Sequence, residues 1–374
     1  MTGKRRLAFM GAILAINLGV AEGASYIVAQ VLVQKGAIFR PTIPSSPERY
    51  LAERDPVLGW PPHASFGSKR LDVSGARVLP AFPRIGNACV SAYGDSFVFA
   101  DEVDDVSAWP NQLALKLGCR VANYGVNGYG TDQAYLRFTS MRDDEASVAI
   151  LGYFSDDIIR NVNQLRNLVS PTADIGLKPR YVIGAAGELQ LIPIESPSPD
   201  QLKEIMASPG KFLHNEYFVP DGPSGLVSES FPFISTTVRS LWSYKIHALL
   251  HRESPYAAFY RENHPSQALE ISRRILLMFA QEARRRGKQP LIVFFPSEDD
   301  LVASQKGAPW LYQPLLDDLR RAGQPYLNLG TNLVARLNGR HPRALFGIVH
   351  FKEEGNFAIA EAVHQALVPF GTPR

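Results

Sequence analysis

Three short apolar runs, at residues 88–93, 120–124 and 146–153, alternate with two stretches of helical spacing, at 109–117 and 133–141. Strand, helix, strand, helix, strand is the pattern of a parallel sheet closed by crossover helices. The run at 146–153 is almost wholly apolar, which suits a strand covered on both faces. The rhythm returns with a long amphipathic helix at 266–286, a strand at 289–295, a helix at 308–322 and a strand at 325–329. A last helix starts just after His350 and runs to about Leu367. The expectation is an α/β fold of three layers, with helices on both faces of a parallel sheet.

Between the two halves, residues 161–265 hold no clean strand–helix repeat. Residues 181–194 read as a hairpin around Ala185-Ala186-Gly187-Glu188, 193–232 are rich in Pro, Ser and Gly, and 234–251 read as one helix. A stretch this long inside a compact domain is an insertion with structure of its own. Insertions on rigid scaffolds often shape a binding cleft.

The start of the chain is the second strong signal. Lys4, Arg5 and Arg6 precede an apolar run at 7–21, and after Glu22 and Gly23 a second run continues to Val33. Two readings compete. Residues 7–33 exceed the roughly 20 residues that a bilayer requires, which argues for a single spanning anchor. Small residues near Ala21 and Gly23 would also suit a signal-peptide cut. The return of apolar character after Glu22 favours the anchor. A basic flank stays in the cytoplasm, so either reading places the body outside it, in a periplasmic or extracellular position. Residues 34–58, with Pro41, Pro44, Pro47 and Pro56, read as an extended stalk. The chain then divides into 1–33 (anchor or signal), 34–85 (stalk and lead-in), 86–160 (first part of the core), 161–265 (insertion) and 266–374 (second part of the core).

A formal net charge of +3 over 374 residues gives no reason to expect a nucleic-acid partner. The cluster Arg284-Arg285-Arg286-Gly287-Lys288 reads as a helix end, with cations at the negative end of the dipole and Gly287 just beyond it. Cys89 and Cys119 each open a strand. Adjacent parallel strands make a bridge geometrically demanding, so two buried thiols are the expected state, although an exported domain permits a disulfide.

The chemistry centres on Tyr93-Gly94-Asp95-Ser96-Phe97 and, more than 250 residues later, His350-Phe351-Lys352-Glu353-Glu354-Gly355-Asn356. A strand running directly into a helix turns sharply at Ser96 and presents its hydroxyl at the carboxyl edge of the sheet, where ligands of open α/β sheets bind. The helix N-terminus beyond it offers N–H groups to an anion. A histidine at the start of the last helix can meet that hydroxyl, and a serine beside an imidazole is what acyl transfer requires. The Gly-x-Ser-x-Gly elbow of α/β-hydrolases is absent from this stretch.

These residues resemble the SGNH, or GDSL, hydrolases, and more closely the membrane-anchored members found with bacterial exopolysaccharide genes. The resemblance covers roughly residues 57–160 and 266–368. It includes Leu58-Gly59-Trp60-Pro61 and the more specific Asn123-Tyr124-Gly125-Val126-Asn127-Gly128-Tyr129-Gly130-Thr131-Asp132-Gln133. It implies the flavodoxin-like SGNH-hydrolase fold, with an N-terminal transmembrane helix and a mid-chain insertion. It also implies Ser96 as nucleophile, His350 as base, and the N–H groups of Ser96 and Gly128 as oxyanion donors. The implied activity is that of an esterase or acyltransferase on acyl groups, O-acetyl in type, of an envelope or exopolysaccharide glycan. The bilayer would be contacted through the N-terminal helix, and no cofactor is implied.

Two positions depart from the family pattern. Asp156, in Phe154-Ser155-Asp156-Asp157, stands where an asparagine would give the third oxyanion donor, and an ionised carboxylate only accepts hydrogen bonds. Gly347 stands three residues before His350, where an aspartate would orient the imidazole. A protonated Asp156 or the Ser155 hydroxyl can substitute for the first, and another acid or a carbonyl for the second. The departures leave a second reading open: a catalytically impaired SGNH-fold protein acting as a membrane-anchored glycan-binding or assembly component. His247 and His251 lie one turn apart on a helix without the glutamate of a zinc-protease helix, and Gly125, Gly128 and Gly130 lack the spacing of a nucleotide loop. Asp95 and Asp157 read as structural acceptors of turn amides.

Overall fold

The computed structural model describes residues 3–60, 71–83, 86, 88–170 and 176–371. Pro61 of the Leu58–Pro61 stretch, part of the lead-in segment and residues 171–175 of the insertion lie outside the described residues. The chain opens with α1 (Gly3–Gln34). The α/β part runs β1 (Val90–Tyr93), α2 (Ser96–Phe99), α3 (Trp109–Leu117), β2 (Val121–Asn123), α4 (Thr131–Ser140), β3 (Val148–Phe154) and α5 (Asp157–Arg160). After a mid-chain segment carrying α6 (Phe233–Ser240) and α7 (Tyr244–His251), it resumes with α8 (Ala268–Arg285), β4 (Gln289–Phe295), α9 (Gln313–Arg321), β5 (Tyr326–Asn328), α10 (Leu329–Leu337) and α11 (Glu353–Leu367).

The five strands form one parallel sheet in the order β2-β1-β3-β4-β5. This is the doubly wound order in which the crossovers reverse direction after β2, leaving a crevice at the carboxyl ends of β1 and β3. On one face α3, α10 and α11 pack together, and on the other α4, α8 and α9. Every residue of β3 is buried, as its apolar composition requires, and Val90, Ala92, Ile150, Val293 and Phe295 join Trp109, Leu333 and Ile359 in one core. The sequence predicts the sheet and its two helical layers, and the observed strands lie within a few residues of the apolar runs.

The expectation of two buried thiols is overturned. Cys89 and Cys119 form a disulfide, with Cα atoms 6.0 Å apart. Cys89 directly precedes β1 and Cys119 lies two residues before β2, so the pair is set back from the first matched residues, Val90 and Val121, and its Cα atoms reach bridging distance. The single helix expected at 234–251 is also two helices. Ser243 leaves helical geometry and accepts the amide of Ile246, so it caps α7 and breaks the run.

The residues fall into two compact units. One contains Met1–Ala52, Asn163–Leu177 and Glu195–Pro255; the other contains Glu53–Val162, Lys178–Ile194 and Tyr256–Arg374, and so the whole sheet. In the first, the extended stalk expected at 34–58 does not form: Ile38–Phe39 is buried and pairs in parallel with Val227–Ser228, and Pro47–Glu53 is helical. Residues 3–34 form an uninterrupted helix long and apolar enough to cross a membrane. In the second, Arg180–Ile183 and Leu189–Ile192 form an antiparallel hairpin.

The disulfide closes a loop of 30 residues, for which chain entropy gives about 3–4 kcal/mol. Reduction, or Cys89→Ser with Cys119→Ser, is therefore expected to lower unfolding free energy by about that amount in denaturant titration. Equal stability with and without reductant would contradict this.

Candidate active site

Ser96 stands at the first turn of α2, directly after β1. Asp95 caps that helix by accepting the amide of Phe97 at 2.9 Å. The short helix lies close on the sheet because two glycines leave room. A Cβ at Gly94 or at Gly152 would come within 2.3 or 2.2 Å of the Val98 side chain. The Ser96 hydroxyl is thus held at the crevice of the sheet.

His350 reaches the same point from the loop before α11. Its Nε2 lies 2.8 Å from Ser96 Oγ, and its ring packs 4.8 Å from the ring of Phe97. On the other side of the imidazole, Nδ1 lies 3.0 Å from Oε1 of Glu102. Glu102 was not among the residues singled out from sequence. Its carboxylate also accepts the amides of Ile348 at 2.6 Å, Val349 at 2.9 Å and His350 at 3.2 Å. Burial alone would raise the Glu102 carboxyl, but the donors from Val349, the His350 ring, Ile348 and the His350 amide outweigh it and hold the group below the ordinary glutamate range. The tie is complete above that range and is lost as the pH falls through the lowered value. An ionised carboxylate only accepts, so Nδ1 carries the proton and Nε2 is left to accept from the serine hydroxyl.

Gly347 acquires a reason in this arrangement. A Cβ there would sit 2.3 Å from Oε2 of Glu102. The position that resembles an aspartate site in the family is kept bare, and a carboxylate from the loop after α2 fills the space. That loop is shaped by Arg77, which is 2% exposed. Its guanidinium donates to the carbonyls of Phe99, Ala100 and Val103 at 2.6, 2.7 and 2.8 Å and to Asp105 at 2.7 Å. Glu102 has φ of 68°, in the left-handed region, so its placement depends on those surrounding ties.

The loop bearing Gly128 lies beside the serine turn. Val126 donates its amide to Gly94 O at 3.0 Å, and Gly128 has φ of 78°, which favours glycine. The Leu58-Gly59-Trp60 stretch braces it: Trp60 Nε1 donates to Asn127 O at 2.9 Å, Tyr129 Oη to Trp60 O at 2.9 Å, and Gln133 Nε2 to Leu58 O at 2.6 Å.

Asp156 is joined to this assembly by Arg160, a second residue that sequence reading passed over. The buried guanidinium lies 2.7 Å from Asp156, 3.0 Å from Asp95 and 3.3 Å from Asp157, and it donates to Tyr129 O at 2.8 Å. One cation therefore links the serine turn, the Gly128 loop and the third block. Burial raises the Asp95 carboxyl and raises Asp157 further, against the pull of Arg160. Burial also opposes the Arg160 charge, but Asp156, Asp157 and Asp95 outweigh it and hold its pKa above the usual value. Asp157 also accepts Thr131 Oγ1 at 3.0 Å and the Phe154 amide at 3.2 Å. His247 and His251 stack at 4.1 Å, with His251 Nδ1 2.8 Å from His247 O.

No protein-family model matches the sequence, and no match to a curated protein was found. Among solved structures, a G-D-S-L family protein from Desulfitobacterium hafniense is similar at 12% identity, covering 75% of this chain and 100% of that one with a TM-score of 0.38. A member of the lipolytic G-D-S-L family from Veillonella parvula is similar at 11%, covering 76% and 98%, with a TM-score of 0.36. The SGNH-hydrolase family esterase AlinE4 is similar at 14%, covering 77% and 99%, with a TM-score of 0.31.

Arg160→Met would leave three carboxylates around a buried site with no cation. It is expected to cost about 3–5 kcal/mol in unfolding free energy. The loss should grow with pH, because burial holds the Asp95 and Asp157 carboxyls above the ordinary range and the unfolded chain releases their protons first. A small and pH-independent loss would contradict the linking role.

Proposed function

We propose that this chain is a serine esterase or acyltransferase of the SGNH type. The observation that carries the reading is the continuous line Ser96 Oγ, His350, Glu102, with contacts of 2.8 and 3.0 Å. In this reading Ser96 attacks an acyl carbonyl and its proton passes to Nε2 of His350. The resulting imidazolium faces the Glu102 carboxylate, which stabilises it and fixes the ring. The amides of Ser96 and Gly128 hold the developing oxyanion. His350 then returns the proton to the departing alcohol. Water or a second alcohol resolves the acyl-enzyme by the reverse steps. Asp156, engaged by Arg160, acts through the charge balance of the buried cluster and positions the serine turn.

The finer assignment follows from the resemblance to anchored relatives: O-acyl groups, of acetyl type, on an envelope glycan, with the protein held in the cytoplasmic membrane by residues 3–34 and its sheet-bearing unit outside. The second reading, an impaired scaffold that binds or assembles glycan, drew on Asp156 and Gly347. Glu102 supplies the acid that Gly347 lacks, so the remaining observation in its favour is Asp156.

A serine-reactive fluorophosphonate is expected to label the wild type and not Ser96→Ala. No labelling of folded wild-type protein between pH 6 and 9 would sink the enzymatic reading. On an aryl acetate, Glu102→Gln should lower kcat on the order of 10⁴-fold, as loss of the orienting acid does in serine hydrolases, with KM little changed. The relocated acid has its own test. Gly347→Asp should reduce activity while Glu102 is present, because its side chain displaces that carboxylate, and should recover part of the activity lost in Glu102→Ala. A rise in activity from Gly347→Asp alone would show that Glu102 is not the operating acid.

A further inference from the structure

The helices α6 and α7 expose several large apolar side chains. On α6, Thr236 and Ser240 are buried, while Val238 is half exposed. The turn that follows exposes Leu241 and Trp242, the latter 70% exposed, and α7 exposes Leu249 and Leu250. Phe231, just before α6, is 76% exposed. The inward hydroxyls are satisfied locally: Thr236 Oγ1 donates to Ser230 O and Ser240 Oγ to Thr237 O, each at 2.7 Å. The outward face is mixed, with Ser235, Arg239, His247 and His251 exposed beside these large apolar side chains, and such a face is suited to the interface of a bilayer.

Where this pair sits relative to α1 identifies the medium. Glu22, the one carboxylate within α1, accepts the amides of Phe233 and, at 3.1 Å, Ile234. It therefore satisfies two of the free N–H groups at the start of α6. Thr237 Oγ1 donates to Ser25 O at 3.2 Å, and the rings of Tyr26 and Phe233 lie 4.9 Å apart. A hydrocarbon layer of about 30 Å, at 1.5 Å per residue, takes roughly 20 residues. Counted from Leu7, after the basic flank, that length ends near Tyr26. Glu22 and the start of α6 thus fall at the outer edge of the hydrocarbon. A carboxylate at that depth requires partners of its own, and α6 provides them.

We infer that the segment 231–251 is a second membrane contact, a helical pair lodged in the outer-leaflet interface beside the spanning helix, with lipid as its occupant. On α1, Tyr26 and Ile27 are exposed where that hydrocarbon length ends, beside the start of α6. Trp242 is of the type that gathers at the boundary of a bilayer. The inference rests on the reading of residues 3–34 as a retained anchor.

The test uses the full chain reconstituted in phosphatidylcholine–phosphatidylglycerol vesicles, with and without brominated acyl chains. Of the four tryptophans, Trp242 alone lies in this segment; Trp60, Trp109 and Trp310 lie in the sheet-bearing unit. Bromine is expected to quench a component of the emission that is missing in Trp242→Phe, an exposed and therefore tolerant site. Equal fractional quenching in the two proteins overturns the inference. So does Trp242 emission that is blue-shifted yet unquenched, which would mean that protein, such as a second copy, covers the face. Flotation after an alkaline wash separates this from the anchor: protein that floats without Trp242 quenching keeps the anchor and loses the inference. Protein that fails to float contradicts both.

Discussion

The carboxylate of Glu102 joins the two ends of the sheet-bearing unit. It gathers three consecutive amides, from Ile348 to His350, and the imidazole of His350, at a separation of 246 to 248 residues along the chain. Without it the loop before α11 would have unpaired N–H groups, and the His350 ring would have a partner on one nitrogen. With it, the ring is oriented, its tautomer is set and Ser96 meets a free lone pair. The last loop is also held to the structure from its far end. Asn356 accepts the amide of Trp109 at 3.1 Å and donates to Phe351 O at 2.7 Å, so α11 starts in register with α3.

Two buried arginines make this possible. Arg77 collects the carbonyls around Glu102 and holds a loop that includes left-handed backbone at Ala100 and Glu102. Arg160 holds three carboxylates and the Tyr129 carbonyl beside the serine turn. Such groups add little net stability when exchanged for a well-packed apolar core, but losing one partner is costly. Their value here is geometric. Each fixes several loops at once, and the short helix α2 could not hold its serine alone.

The sheet was legible because its strands are covered on both faces and must be apolar throughout, which leaves a pattern that a sequence displays. The meeting of Ser96 and His350 was legible because one follows closely on a strand and the other lies just before the last helix, and both places belong to the same edge. Glu102 was not legible. Four acidic residues, Asp101, Glu102, Asp104 and Asp105, crowd the loop after α2. The choice among them depends on backbone turns set by Arg77. The bare position at Gly347 was the available signal, and it reads as a loss until the carboxylate that occupies its space is seen. Arg160 was hidden for a similar reason: a lone arginine near acids is common, and its link to Asp95 and Tyr129 is tertiary. The disulfide was not legible because Cys119 lies two residues before β2, where the spacing of paired strands no longer holds.

The most direct test of this account is the imidazole proton of His350. In proton NMR of the folded protein, labelled with ¹⁵N-histidine, a ring N–H resonance well downfield of the amides is expected, assigned by its loss in His350→Ala. In Glu102→Gln it should move upfield towards the ordinary imidazole range, since a neutral amide replaces the charged acceptor. A downfield resonance that is absent from wild type, or that is unchanged in Glu102→Gln, would contradict the claim that Glu102 orients the base.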